Sequence, residues 1–102
     1  MASKVVLITG ASRGIGAAIA TEFARNGFSV ILTSKNHPQL LTTLKQTLTS
    51  LYGIDCMTFV GDIGDPAQVD LLFKAIDQRY NSLDILINNA GIYQIGLLSQ
   101  IS

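Results

Sequence analysis

The chain is poor in the residues that build cross-links, metal sites and charged surfaces. Its 102 residues include one cysteine, Cys56, and one histidine, His37. An internal disulfide, a cysteine-based zinc site and a histidine pair on a metal are therefore excluded, and we expect His37 at the surface and Cys56 in the core. Seven basic and seven acidic side chains cancel, which argues against nucleic acid or an anionic membrane as a partner. No apolar run approaches the ~20 residues of a membrane span, and no signal-peptide pattern is found, so we expect a cytoplasmic globular protein.

What the chain does have is a glycine-rich turn directly after a short apolar run. The run Val5 to Ile8 predicts a buried parallel strand, and the next residues, 9–16, read T-G-A-S-R-G-I-G. Glycine permits a tight turn into a helix and close approach of a phosphate to backbone N–H groups. The spacing is neither G-x-G-x-x-G nor a P-loop. The turn predicts a receptor for a dinucleotide pyrophosphate; the alternative is a loop that only joins strand to helix.

Strand and helix signals alternate along the chain. The predicted strands cover 4–9, 29–34, 57–60 and 83–87, and the predicted helices cover 14–26, 38–52 and a third segment that begins at 66. Helical periodicity places Ile15 on one face of the first helix with Ile19 and Phe23, and it places Leu51 on the inward face of the second. Asp65 is predicted to cap the third helix, with Gln68 reaching back as in a capping box. Strands that alternate with helices imply an α/β fold with a parallel sheet.

Two further motifs close apolar runs. Gly61-Asp62-Ile63 follows the run 57–60, and Asn88-Asn89-Ala90-Gly91 follows the run 83–87. Together with the glycine-rich turn, and in this order over nearly the whole chain, they resemble the N-terminal half of a classical short-chain dehydrogenase/reductase, most closely a 3-oxoacyl-acyl-carrier-protein reductase. The resemblance implies the N-terminal portion of a Rossmann-like doubly wound parallel sheet with strand order 3-2-1-4. Residues 1–102 would then form a single, incomplete NAD(P)-binding domain.

The resemblance assigns the glycine-rich turn to the cofactor's diphosphate and adenosine ribose. The residues concerned are Gly10, Ser12, Arg13, Gly14, Ile15 and Gly16. An NAD-binding fold usually carries an acidic residue at the end of the second strand, where it accepts from the ribose 2′-OH. Here that position holds Ser34, followed by Lys35. Because Lys35 and Arg13 are cations suited to a 2′-phosphate, NADP(H) is the predicted cofactor.

The other two motifs are expected to contact the remaining parts of the cofactor. The resemblance implies that the Asp62 carboxylate accepts from the adenine amino group and that Ile63 lines one side of the ring. The alternative for Asp62 is a helix-entry cap, a role that Asp65 fills better. Of the asparagine motif, the first residue is assigned mainly to tying the strands together. The contacts predicted from that motif are Asn89, Ala90 and Gly91, and the structural residue is Asn88.

No catalytic residue is predicted within the sequence. The resemblance implies a tyrosine that protonates the substrate carbonyl and a lysine four residues later, together with a serine and an asparagine. The tyrosines at 52, 80 and 93 are followed four residues later by Cys56, Asp84 and Leu97, so no Y-x-x-x-K is formed. We therefore expect the cofactor-binding half of an NADPH-dependent carbonyl reductase, inactive alone. The complete enzyme would take a small carbonyl substrate, such as a 3-oxoacyl thioester, and form a homo-oligomer.

A second interpretation assigns the chain to a different class of protein, a binding module instead of part of an enzyme. The segment 83–87 would be left as an apolar open edge of the sheet, and such an edge invites pairing with another chain. The chain could then be a non-catalytic dinucleotide-binding or strand-pairing module. Dimerisation through this edge without turnover would favour the module. Activity recovered by adding a C-terminal half with its Y-x-x-x-K would favour the enzyme portion.

Overall fold

The computed structural model describes residues 4–89, and within them strands and helices alternate as predicted. The elements are β1 (Val5–Thr9), α1 (Gly14–Arg25), β2 (Ser29–Ser34), α2 (Pro38–Tyr52), β3 (Cys56–Val60), α3 (Pro66–Arg79) and β4 (Ile85–Asn88). Except for the start of the fourth strand, the predicted boundaries agree with these to within one residue.

The strands of the described segment form one parallel sheet with the order β3-β2-β1-β4. In the register of the sheet, Val6 lies beside Val30 of β2 and Ile85 of β4. The predicted fold class and strand order are therefore confirmed. Because all pairs are parallel, the carboxyl ends of all these strands lie at the same edge.

Both faces of the sheet carry a buried apolar layer. The face covered by α1 and α2 contains Val6, Ile8, Ala20, Ala24, Val30, Leu32, Leu41, Leu48 and Cys56. The opposite face, covered by α3, contains Val5, Leu7, Ile31, Met57, Leu72 and Ile76. Burial on both faces explains why β1 and β2 read as continuous apolar runs instead of alternating ones.

One side chain predicted to point inward is exposed. Leu51 is 66% exposed and lies in the last turn of α2. Periodicity sets the direction of a side chain but not whether another element lies opposite it, so the prediction was wrong at this position. Ile15, in the first turn of α1, is 62% exposed.

The fourth strand begins at Ile85, two residues later than the sequence predicted. Asp84 still contacts the first strand, but partly through its side chain. Its carboxylate accepts from the N–H of Val5 at 2.7 Å, and its own N–H donates to the carbonyl of Val5 at 3.0 Å. The N–H of Val5 is thus bonded to a side-chain oxygen of Asp84 instead of a backbone carbonyl. The regular ladder between β1 and β4 therefore begins only at Ile85.

The start of α3 is only partly the predicted capping box. Asp65 is the N-cap, and its Oδ1 accepts from the N–H of Ala67 at 3.0 Å. Gln68 also reaches back, but it passes the N-cap and accepts from the N–H of Asp62 at 2.5 Å. The N–H of Asp65 donates to the Asp62 carbonyl instead. The side chain of Gln68 and the N–H of Asp65 therefore both bond to the backbone of Asp62.

At the opposite edge of the sheet, a polar cluster joins the end of α3 to the start of β3. Asp55 accepts from Arg79 Nη2 at 2.6 Å, from Arg79 Nε at 3.1 Å and from the Tyr80 hydroxyl at 2.6 Å. The Arg79 hydrogen bond holds the pKa of Asp55 below its usual value. Burial, followed by the hydrogen bond to Asp55, raises the pKa of Tyr80. The cluster is a structural clamp far from the carboxyl edge.

We expect this clamp to make stability depend on pH at the acid end. The lowered pKa of Asp55 in the fold means that its contribution is present above the unfolded value near 3.8 and is lost as the pH falls through the folded value. Asp55→Asn should cost about 0.5–1 kcal/mol at pH 7, since the pair is half exposed. In urea-melt titrations the cost should shrink as the pH falls below 3.8 and through the lower pKa of the folded state. Asp77→Asn, a change at an exposed carboxylate of α3, the helix that carries Arg79, is the control. Equal pH profiles for both variants would contradict the assignment.

Candidate dinucleotide-binding site

The residues predicted to bind a cofactor follow the carboxyl ends of the strands, which the parallel sheet brings to one edge. The turn after β1 leads into α1, the turn after β2 carries Lys35, and the turn after β3 carries Asp62. β4 ends at Asn88, beside Thr9 of β1. Ala90 and Gly91, the remaining predicted contacts, lie outside the described residues.

The glycine-rich turn needs glycine for its backbone geometry. Gly10 and Gly14 have φ of 62° and 64°, in the left-handed region that other residues rarely adopt. A Cβ added at Gly14 would meet no atom within 4 Å, so the turn is open on that side. The N–H groups of the first turn of α1 lie here, and a helix N-terminus favours an anion. The arrangement fits a diphosphate.

Gly16 is required for a different reason, which is close packing. A Cβ at this position would collide with the carbonyl of Gly10 and would lie 2.8 Å from Nδ2 of Asn89. That amide already donates to the Gly10 carbonyl at 3.0 Å. The N–H of Ala11 donates to the carbonyl of Thr33 at 2.9 Å, which ties the turn to β2 as well. The turn is therefore fixed by the strands on both sides.

Both asparagines of the N-N-A-G motif use their side chains within the fold. Asn88 Oδ1 accepts from the hydroxyl of Thr9 at 2.9 Å, and Asn89 donates to Gly10 as described. Together they tie the end of β4 to the end of β1. The side chain of Asn89 is thus directed at the turn.

The turn after β2 brings a lysine towards the turn after β3. Ser34 is buried and its hydroxyl donates to the carbonyl of Asn36, so this side chain shapes the turn. The Lys35 side chain is 71% exposed, and its Nζ lies 3.9 Å from Oδ2 of Asp62. The structure thus brings together the lysine predicted to read a 2′-phosphate and the carboxylate predicted to read adenine. Arg13, the N-cap of α1, is exposed and makes no side-chain cap.

The turn after β3 is held by hydrogen bonds at several points. Asp62 Oδ1 accepts from the N–H of Gly64 at 2.8 Å, and the Asp62 carbonyl accepts from the N–H of Asp65 at 3.0 Å. Ile63 is half-buried beside it. The sequence pattern D-P-x-Q predicted that Gln68 reaches back towards the start of α3, but it did not predict the hydrogen bond from the N–H of Asp62 to Gln68.

The single cysteine lies away from this edge, at the start of β3. Cys56 is 1% exposed, and burial raises the pKa of its thiol to about 11. A thiol in that state is a weak nucleophile, because the thiolate is the reactive form. The structure thus agrees with its prediction as a core residue.

The profile of the family described as short chain dehydrogenase matches residues 4–102. The chain belongs to the short-chain dehydrogenase family. Elsinochrome reductase 1 of Elsinoe fawcettii is 37% identical over 99 residues, covering 97% of this chain and 37% of that protein. The 3-oxoacyl-acyl-carrier-protein reductase FabG of Staphylococcus aureus is 32% identical over 96 residues, covering 94% and 39%. The predicted family is confirmed, with a 3-oxoacyl-acyl-carrier-protein reductase among its relatives.

Solved short-chain dehydrogenases share the fold. L-sorbose reductase from Gluconobacter frateurii, complexed with NADPH and L-sorbose, is 33% identical with a TM-score of 0.83, over 89% of this chain and 34% of that one. A short-chain dehydrogenase from Sphingobium yanoikuyae in complex with NADPH is 34% identical with a TM-score of 0.73, over 84% and 33%. The chain thus spans under two fifths of the length of these relatives. None of the helices in residues 4–89 combines the length and the hydropathy that a membrane span requires.

Proposed function

We propose that residues 1–102 are the cofactor half of an NADPH-dependent short-chain oxidoreductase, an incomplete NAD(P)-binding Rossmann domain. One observation carries this proposal. The open glycine turn lies at the same sheet edge as Arg13 and Lys35, and β2 ends in Ser34 instead of a carboxylate. A dinucleotide that carries a 2′-phosphate in addition to its diphosphate suits that set of groups. The NADPH complexes of similar solved structures support it.

Different residues of this edge bind different parts of the cofactor. The backbone N–H groups of the glycine turn hold the diphosphate, and Arg13 with Lys35 hold the 2′-phosphate. The Asp62 carboxylate accepts from the adenine amino group and Ile63 packs on the ring. Asn89 contributes its backbone beside the riboses. The complete set proposed for the cofactor is Gly10, Ser12, Arg13, Gly14, Ile15, Gly16, Ser34, Lys35, Asp62, Ile63, Asn89, Ala90 and Gly91.

The reaction proposed for the complete protein is reduction of a carbonyl group. When bound, NADPH supplies a hydride to the carbonyl carbon, and this chain's residues bind and orient the cofactor without a catalytic residue of their own. A 3-oxoacyl thioester is the substrate we put forward on the likeness to FabG.

Nucleotide titration tests the proposal. NADPH added to the 102-residue chain should bind saturably, seen as enhanced nicotinamide fluorescence or by calorimetry, at least about tenfold tighter than NADH because a charge-assisted contact to the 2′-phosphate is worth over 1.4 kcal/mol. No reduction of a 3-oxoacyl thioester is expected from the chain alone. Equal affinities for the two nucleotides would contradict NADP specificity, no binding of either would contradict the cofactor role, and turnover by the isolated chain would contradict its inactivity.

A strand-pairing module is the second candidate, and one observation favours it. Within the described residues β4 pairs with β1 alone and lies at the edge of the sheet, where Leu86 is 45% exposed. An exposed apolar edge strand is a template for pairing with a second chain. Sedimentation of the sample used for the titration separates the two candidates. A dimer that binds no nucleotide would favour the module, and a nucleotide-binding monomer would favour the enzyme portion.

A further inference from the structure

We infer that Gln68 is a positioning residue for adenine recognition, an inference that rests on the proposed cofactor function. Gln68 lies in the first turn of α3 and is half-buried. Its Oε1 accepts from the backbone N–H of Asp62 at 2.5 Å. The amide therefore acts on the residue proposed to read the adenine amino group, without itself being proposed to contact the cofactor.

The hydrogen bond occurs where the chain leaves the sheet. The N–H of Gly61 still donates to the carbonyl of Ser34 at 2.9 Å, which continues the ladder between β2 and β3. The next N–H, that of Asp62, turns away and is taken by Gln68. Because a buried or half-buried N–H needs an acceptor, the side chain of Gln68 fixes the direction in which the turn departs.

Gly61 leaves the space that this contact needs. A Cβ at position 61 would lie 2.5 Å from Oε1 of Gln68 and 2.7 Å from Cε2 of Phe59. No L side chain fits there while Gln68 keeps its place. The glycine of the G-D-I motif and the glutamine seven residues later are therefore parts of one arrangement.

Asp62 has other contacts, through its carbonyl and through its carboxylate. Because the carboxylate is attached to the same backbone, a shift of that backbone would move the carboxylate. The Asp62 carbonyl accepts from Asp65, Oδ1 accepts from Gly64, and Oδ2 lies 3.9 Å from Nζ of Lys35. Loss of the Gln68 contact frees one side of the residue only. The carboxylate would then sample orientations in which it no longer meets an adenine amino group.

The test compares NADPH with its analogue in which hypoxanthine replaces adenine. Hypoxanthine carries an oxygen where adenine has its amino group, so the ratio of the two dissociation constants reports recognition by Asp62. In Gln68→Ala the preference of the wild-type chain for NADPH over the analogue should fall about fivefold, the effect of one lost hydrogen bond. General destabilisation would weaken both nucleotides alike and leave the ratio unchanged, which would overturn the inference.

Three further variants sharpen the result. Gln68→Glu keeps an acceptor at the same position and should restore the ratio. Gly61→Ala should lower the ratio as Gln68→Ala does, because the added methyl group displaces the amide. Gln78→Ala makes the same substitution at an exposed position of α3 and should leave both constants unchanged. Failure of the wild-type chain to bind NADPH would overturn the proposed function, whereas binding with a ratio insensitive to Gln68 would overturn this inference alone.

Discussion

Replacing Gly16 with alanine is expected to lower the melting temperature by roughly 15 °C and to weaken NADPH binding strongly. The added Cβ would collide with the Gly10 carbonyl and lie 3.0 Å from Cα of Ala11. Both are backbone atoms that cannot rotate away, and the nearby amide of Asn89 is held by its own hydrogen bond to Gly10. Overpacking and the lost hydrogen bond together cost about 3 kcal/mol. Thermal melts followed by circular dichroism measure the effect.

Gly14→Ala is the matched control for this stability measurement. The methyl group at Gly14 would meet nothing within 4 Å, so only its φ of 64° opposes alanine. That backbone strain costs about 1 kcal/mol, and the melting temperature should fall about a third as far as for Gly16→Ala. If the two variants lose the same stability, close packing at Gly16 is not what requires its glycine.

The features that sequence reasoning predicted are those fixed by neighbouring residues. The strand β1 lies between two neighbouring strands and two helical layers. Because both of its faces are buried, its residues are apolar without interruption, and that run predicts its burial. The glycine turn follows because left-handed φ at Gly10 and Gly14 is a local requirement. The order of the strands came from the resemblance, since periodicity alone does not say which strands are neighbours.

The features that sequence reasoning missed depend on contacts between distant segments. Asp55 and Arg79 are 24 residues apart, and nothing local to either predicts their pairing. The partner of Gln68 was assigned wrongly because the capping-box pattern points to the N-cap, whereas in the folded turn the side chain accepts from the N–H of Asp62 and the N-cap N–H donates to the Asp62 carbonyl. In the same way the exposure of Leu51 depends on whether an element lies opposite the end of its helix.

At the carboxyl edge, the fold uses the same residues for structure and for the proposed binding. The amide of Asn89 supports the turn that would hold the diphosphate, and the hydroxyl of Ser34 shapes the turn that presents Lys35. The absence of a carboxylate at Ser34 therefore matters twice. It removes a repulsive charge from a 2′-phosphate, and it leaves a short side chain that bonds to the backbone of its own turn.

Replacing Lys35 is expected to have a strong effect on the choice between NADPH and NADH. In Lys35→Ala the affinity for NADPH should fall about tenfold while the affinity for NADH is unchanged, because the substitution removes a cation proposed to contact the 2′-phosphate, a group that NADH lacks. The Lys35 ammonium lies 3.9 Å from Oδ2 of Asp62, which keeps it at the cofactor edge. Lys74→Ala, an exposed lysine on α3, removes the same charge elsewhere and should change neither constant.

Salt separates the phosphate contact from any indirect effect of the substitution. Since the Lys35 side chain is 71% exposed, its attraction for a phosphate should weaken as ionic strength rises. The preference of the wild-type chain for NADPH over NADH should therefore decline between low and high salt, and the preference of Lys35→Ala should decline less. A parallel loss of NADPH and NADH affinity in the variant would instead mean that Lys35 supports the turn through Asp62, and Arg13 alone would then be left to read the 2′-phosphate.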